Sequence, residues 1–141
     1  MSLLQSEYKF KVSFEDLDPM NIVWNGNYMR YMEQARCDLL AKLNYTYADM
    51  KKEGYVYPIA KMKAKYIRPA TFGDNLTLKL DVISIEPTLD IKYQIFNDET
   101  NDKIFEGSTM QIGMNAESFE SVYTPPKGLV DAINEVLHEK I

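Results

Sequence analysis

Histidine and cysteine are nearly absent from this chain: among 141 residues there is one of each, His138 and Cys37. A lone cysteine permits no internal disulfide framework and no cysteine metal cluster, which fits a reducing compartment. A Ser-His-Asp or Cys-His hydrolase would have to rely on His138, close to the C-terminus on an expected surface helix. Cys37 falls inside an amphipathic helical pattern, where a buried structural thiol is expected. No His/Cys/Asp grouping has metal-ligand spacing and no glycine-rich phosphate loop occurs, so neither a metal nor a cofactor is expected. Glycine and proline number six each, and with 45% hydrophobic and 26% charged residues the disordered and fibrous classes are excluded. No apolar run approaches a membrane span, and Met1 to Glu7 lacks the basic and apolar regions of a signal peptide. There is no basic excess either. A net charge of -5 argues against nucleic acid as the main partner. The expectation is one domain over residues 1–141, soluble and cytoplasmic, with no nucleic-acid or membrane partner.

What is present is a clear change of period. Tyr8, Phe10 and Val12 alternate with Lys9, Lys11 and Ser13, which predicts a half-buried strand. From Asn27 to Leu43 the apolar residues Tyr28, Met32, Ala35, Leu39 and Leu43 recur every three or four positions, which predicts a long helix. Asn25 or Asn27 is placed to cap it, Asn44 to stop it, and Glu33 and Arg36 to pair on its surface. Thr46 to Asp49 reads as the start of a second, short helix ending at Gly54. Strands are expected over Tyr55–Ile67, Leu76–Val82, Leu89–Ile95 and Ile104–Met114, with a bulge where the apolar phase shifts to Ile83 and Ile85. Tight turns between consecutive strands imply antiparallel neighbours. A C-terminal helix follows Pro125-Pro126. One apolar helix and one sheet must cover each other, which gives an α+β domain.

Asp18 is the residue with the most chemistry around it. It sits in Asp16-Leu17-Asp18-Pro19-Met20-Asn21-Ile22-Val23-Trp24, between the first strand and the long helix. A helix N-terminus offers unpaired N–H donors, and a carboxylate before it can act as nucleophile or base. From the residue type alone, a turn or capping role is the commoner one for Asp.

The whole pattern resembles the hotdog-fold acyl-CoA thioesterases of the 4-hydroxybenzoyl-CoA thioesterase type. The matching residues are Asp16 to Trp24, Asn27-Tyr28, Glu33-Gln34-Ala35-Arg36 and, downstream, Tyr66, Pro69-Ala70 and Gly73-Asp74-Asn75-Leu76. The resemblance implies a long central helix wrapped by a curved antiparallel β-sheet. It also implies a homodimer with sites at the subunit interface, assembling into a homotetramer. It places the catalytic carboxylate at Asp18. Where many relatives carry His in a Tyr-His-x-Asn-Tyr pattern, this chain has Asn25.

The chemistry so implied is hydrolysis of the thioester of a small to medium acyl-CoA. Asp18 either attacks the carbonyl, giving a mixed anhydride, or orients and deprotonates water. Asn25, Gly26, Asn27 and Tyr28 are the candidates for positioning substrate and holding the oxyanion. Lys61, Lys63 and Lys65 form a basic row that, with Arg68, could meet the phosphates of coenzyme A; a solvated strand face is the simpler reading of such lysines. The alternatives are a non-catalytic hotdog module that binds acyl thioesters and a thioesterase acting on acyl carrier protein, the second disfavoured by the acidic net charge.

Overall fold

The computed structural model describes residues 2–139, apart from the side chains of His138 and Glu139. Its strands are β1 (Leu4–Lys11), β2 (Tyr55–Val56), β3 (Ile59–Tyr66), β4 (Asn75–Ser84), β5 (Leu89–Asn97), β6 (Lys103–Gln111) and β7 (Met114–Asn115). Its helices are α1 (Asn27–Lys42), α2 (Tyr47–Lys52) and α3 (Lys127–Glu139), with a single 3₁₀ turn at Phe14–Asp16. His138 thus lies on α3, but its side chain is outside the described residues.

Five strands make a curved antiparallel sheet in the order β1-β4-β5-β6-β3. One face is apolar because the period of two holds through β4 and β5: Leu76, Leu78, Leu80, Val82, Leu89, Ile91, Tyr93 and Ile95 are all buried. Burying each such side chain contributes about 1.5–3 kcal/mol. α1 turns Tyr28, Tyr31, Met32, Ala35, Leu39 and Leu40 inward into the same core. Gly107 on β6 lets it approach: a Cβ there would lie 3.0 Å from Met32 Sδ and 2.9 Å from the Phe105 ring.

Several local expectations meet the structure directly. The register of β4 with β5 shifts between Val82 and Ser84, where the apolar phase changes. Asn44 takes φ 57° just past α1, and Thr46 caps α2 with Asp49 in a reciprocal capping box.

Others are corrected. The Tyr55–Ile67 stretch is two strands, because Tyr57-Pro58 interrupts the ladder; β2 pairs with β7 while β3 pairs with β6. The expected Ile104–Met114 strand likewise breaks before Met114 at Gly113, where a Cβ would meet Val122 O at 2.9 Å. β3 and β4, consecutive in sequence, are not neighbours, since residues 67–74 are long enough to carry the chain past the sheet end to the β1 side. The residue capping α1 is Gly26, and no side chain caps it; Asn27 instead donates to Asp16 O at 2.8 Å. Glu33 is exposed while Arg36 turns into the core, so they do not pair, and Cys37 is exposed rather than buried.

Candidate active site

The Asp18 loop is a tight reversal. Leu17 and Val23 bridge, Asp18 N–H donates to Ile22 O at 2.8 Å, and Asn21 N–H donates to Asp18 O at 2.9 Å. Asn21 sits at φ 64°, a conformation Asn tolerates better than most residues. The downstream motif holds this loop from outside. Ala70 O accepts from Val23 N–H at 2.9 Å, and Thr71 Oγ1 donates to Asn21 O at 2.9 Å. Thr71 is fixed in turn by Asp74, whose Oδ2 accepts its N–H at 2.9 Å, and Gly73 makes that turn at φ 81°. The two sequence windows, about fifty residues apart, are therefore halves of one hydrogen-bonded unit.

The two acids of the loop are in opposite situations. Asp16 is buried and its carboxylate is saturated: it pairs with Arg30, accepts from Tyr31 Oη at 2.9 Å and accepts from Ser13 N–H at 3.1 Å. Asp18 is half-buried. Its Oδ1 accepts Met20 N–H at 2.8 Å, and no donor among the described residues reaches Oδ2. One acid is structure and the other has an oxygen available for chemistry.

Asp18 lines a cavity of about 570 Å³ together with Met20, Ile22, Trp24, Asn25, Tyr28, Tyr66, Ile67 and Arg68. Apolar and aromatic walls with few polar groups are the usual character of a small-molecule site, and the volume lies in the usual range. Tyr28 forms the floor, stacked on Phe105 at 4.7 Å between centroids and edge-on to Tyr66 at 5.3 Å. Burial, then the proximity of Tyr66 and Asp74, pushes its phenol up to about 12, so it remains protonated at neutral pH. Tyr66 Oη donates to Asn25 O at 3.0 Å and fixes the chain just before α1.

Of the residues singled out from sequence, Asp18, Asn25, Tyr28 and Arg68 come together in this cavity. Asn25 is exposed and its side chain makes no hydrogen bond to Asp18. Gly26 and Asn27 stand behind Trp24: the indole lies over Gly26 so closely that a Cβ would sit 2.4 Å from the ring. The N–H of Asn27 already donates to Trp24 O at 2.9 Å, and that of Tyr28 to Asn25 O at 3.4 Å. Lys63 and Lys65 line a separate groove on the outer face of the sheet, with Lys92 and Glu106, and strand alternation puts Lys61 on that same face. Tyr66, of opposite parity on β3, reaches the cavity. Its alternation with the lysines was the available signal for that placement; no such signal marked Ile67 or Met20. Arg30, the partner of Asp16, was not anticipated either.

A family model described as the thioesterase-like superfamily matches residues 12–137. The chain is similar to a putative acyl-CoA thioesterase of Bacillus subtilis, 31% identical over 70 residues, covering 50% of this chain and 51% of that protein. It is also similar to an acyl-CoA thioester hydrolase of Escherichia coli, 26% identical over 78 residues, 55% of this chain and 58% of that protein. The matches thus span little more than half the length of either relative. Among solved structures, DHNA-CoA thioesterase from Staphylococcus aureus superposes with a TM-score of 0.83 at 24% identity, over 96% of this chain and 93% of that one, which shows a common fold.

Proposed function

The chain belongs to the thioesterase-like superfamily, and from that premise we propose that it is an acyl-CoA thioesterase that uses Asp18 on the thioester carbonyl of a small to medium acyl group. The observation that carries this reading is Asp18 itself. It is the acid of the loop with an unengaged oxygen, and it borders an apolar cavity at the start of α1.

Asp18 Oδ2 either adds to the carbonyl carbon, expelling the CoA thiolate and leaving an anhydride for water to cleave, or removes a proton from the attacking water. In both routes negative charge gathers on the carbonyl oxygen. The N–H groups of Asn27 and Tyr28 are engaged within the turn and Gly26 stands behind Trp24, which favours Asn25 N–H, on the cavity wall at the positive end of the α1 dipole, as the oxyanion donor. Such a donor is worth about 3–4 kcal/mol in the transition state. Asn25 lies on the cavity wall where it can hydrogen-bond the acyl group or water. Tyr28, held neutral, serves as a wall and a donor rather than as an acid. Arg68 shares the cavity and is the better candidate for the CoA phosphates; the outward aspect of Lys61, Lys63 and Lys65 makes them the weaker one.

The same reading makes α1 the central helix of a hotdog fold, places the protein in the cytoplasm without a cofactor, and pairs two chains across the exposed apolar surface beside the cavity. Of the exposed apolar residues, Trp24, Tyr66 and Ile67 border the cavity, and Met62 stands on the same side of β3 as Tyr66.

The test is CoA release from short, medium, long and aromatic acyl-CoAs by wild type and Asp18→Asn. The expected loss is roughly a hundredfold or more. Near-wild-type hydrolysis by a folded Asp18→Asn variant removes Asp18 from the mechanism. Acyl-CoA binding by wild type without any turnover identifies a binding module instead.

A further inference from the structure

Asn25-Gly26 is the single Asn-Gly step in the chain. Asparagine is a chemically labile residue, and glycine after it is the most permissive neighbour. With no side chain in the way, the glycine nitrogen can close on the preceding carboxamide. Packing demands the glycine here, because a Cβ at Gly26 would sit 2.4 Å from the Trp24 ring. The labile step is therefore tied to the way the indole lies over the start of α1.

Both reacting groups are free. Asn25 is exposed on the wall of the Asp18 cavity, which must admit water and substrate, and its carboxamide makes no hydrogen bond among the described residues. The Gly26 N–H donates to none of them either. Other asparagines differ on both counts. Asn115 Oδ1 accepts from Glu117 N–H at 2.9 Å and Ser118 N–H at 3.1 Å, and Ala116 follows it. Asn97 Oδ1 accepts from Glu99 N–H at 2.9 Å and Thr100 N–H at 3.3 Å, and Asp98 follows it. What restrains Asn25 is its main chain. Its carbonyl accepts from Tyr66 Oη at 3.0 Å and from Tyr28 N–H at 3.4 Å, the second beyond the usual range. Ring closure needs rotation about the Cα–C bond of Asn25, so the Tyr66 hydroxyl is the main brake on it.

We propose that Asn25 is a site of spontaneous deamidation that ages the candidate active site. Gly26 N, losing its proton, bonds to Asn25 Cγ, and the side-chain nitrogen leaves as ammonia, which gives a succinimide. Water then opens the ring at either carbonyl, giving aspartate or isoaspartate. One water is consumed, one ammonia is released, and nothing is oxidised or reduced. Either product puts a second carboxylate on the wall that Asp18 shares. Isoaspartate also routes the main chain through the side-chain carbon just before α1. The consequence for activity rests on the hydrolytic reading proposed above. The new charge has the sign of the developing oxyanion, and the lengthened chain moves Asn25 N–H out of line with it. Hydrolysis therefore declines as the protein ages.

The experiment incubates the purified full chain at physiological temperature, at neutral and mildly alkaline pH. Peptide mass spectrometry with fragmentation that separates aspartate from isoaspartate follows each asparagine, and CoA release is measured on the same samples. Conversion is expected at Asn25 before Asn97, Asn101 or Asn115, and faster at the higher pH, since Gly26 N must lose its proton. Tyr66→Phe is expected to quicken it by up to about tenfold, the factor that one ordinary hydrogen bond allows. Asn25→Gln, which must close a larger ring, is expected to keep its amide, and whatever activity it starts with should hold over the same period. Wild-type activity should fall in step with the converted fraction. An intact Asn25 amide after Asn101 has converted, or full activity in fully converted protein, overturns the proposal. If Asp18 proves not to catalyse hydrolysis, the mass readout still decides whether Asn25 is modified.

Discussion

Asp16 and Asp18 are two residues apart, share a loop and carry the same functional group, yet their surroundings assign them different work. Asp16 holds Arg30, Tyr31 and the Ser13 N–H while its own carbonyl accepts from Trp24 and Asn27. Replacing it by Asn leaves the Arg30 charge without its partner and converts an ionic acceptor into a neutral one. We expect Asp16→Asn to lose about 2–3 kcal/mol of stability, by the measured worth of hydrogen bonds to charged groups. Asp18→Asn keeps the Oδ1 acceptor for Met20 N–H and should change stability by no more than about 0.5 kcal/mol. Denaturant unfolding of the two variants beside their hydrolysis rates checks this; equal destabilisation would mean that Asp18 is also structural. Sequence pointed to both acids as a window and, through the family resemblance, to Asp18 in particular. It could not separate their surroundings, because Arg30 and Tyr31 approach Asp16 only after α1 folds back on the loop. Arg36 shows the same limit: its spacing from Glu33 suits a surface pair, and only tertiary packing turns it inward.

Elements were legible where their signals are local. The capping box at Thr46 and Asp49, the Asn44 stop and the β4 bulge each depend on a few adjacent residues, and each is where the pattern put it. The position of β3 beside β6 rather than β4 was not legible, because periodicity carries no information about which strand a strand joins. The docking of α3 depends on a similarly distant contact. Glu53, just past α2, accepts from Tyr45 Oη and, at 3.2 Å, from Gly128 N–H at the start of α3. One carboxylate thus ties the end of α1, the end of α2 and the first turn of α3 together, next to Leu129 and Ile133, which are buried in the core. Glu53→Ala removes both acceptors and should cost about 1–2 kcal/mol. The loss should be local. Amides of residues 127–137 are expected to exchange faster while those of β4 and β5 keep their protection, as hydrogen-exchange mass spectrometry would read. Uniform loss of protection across the sheet would instead show α3 to be part of one cooperative unit.

At the scale of the whole molecule the surface is asymmetric in a way that bears on the cavity. β3 pairs only with β6 and forms one edge of the sheet. Its Lys61, Lys63 and Lys65 face outward on one side; Met62 and Tyr66 stand on the other side with 38% and 51% of their surfaces exposed. Trp24, at 55%, and Ile67 extend this apolar area to the rim of the Asp18 cavity. Contiguous exposed apolar surface beside an unpaired strand edge is characteristic of an association site. The pairing proposed above would therefore cover this surface and build part of the acyl cavity from both chains. It follows that association and hydrolysis should fail together. Met62→Asp puts a charge in the middle of the covered area without touching Asp18, and as an exposed residue it should leave the fold of the single chain intact. Sedimentation is expected to give the mass of a dimer or tetramer for wild type and of one chain for Met62→Asp, with a parallel fall in CoA release. A wild-type chain that sediments as a monomer at assay concentration and still turns over would separate the two properties and leave the cavity complete within one chain.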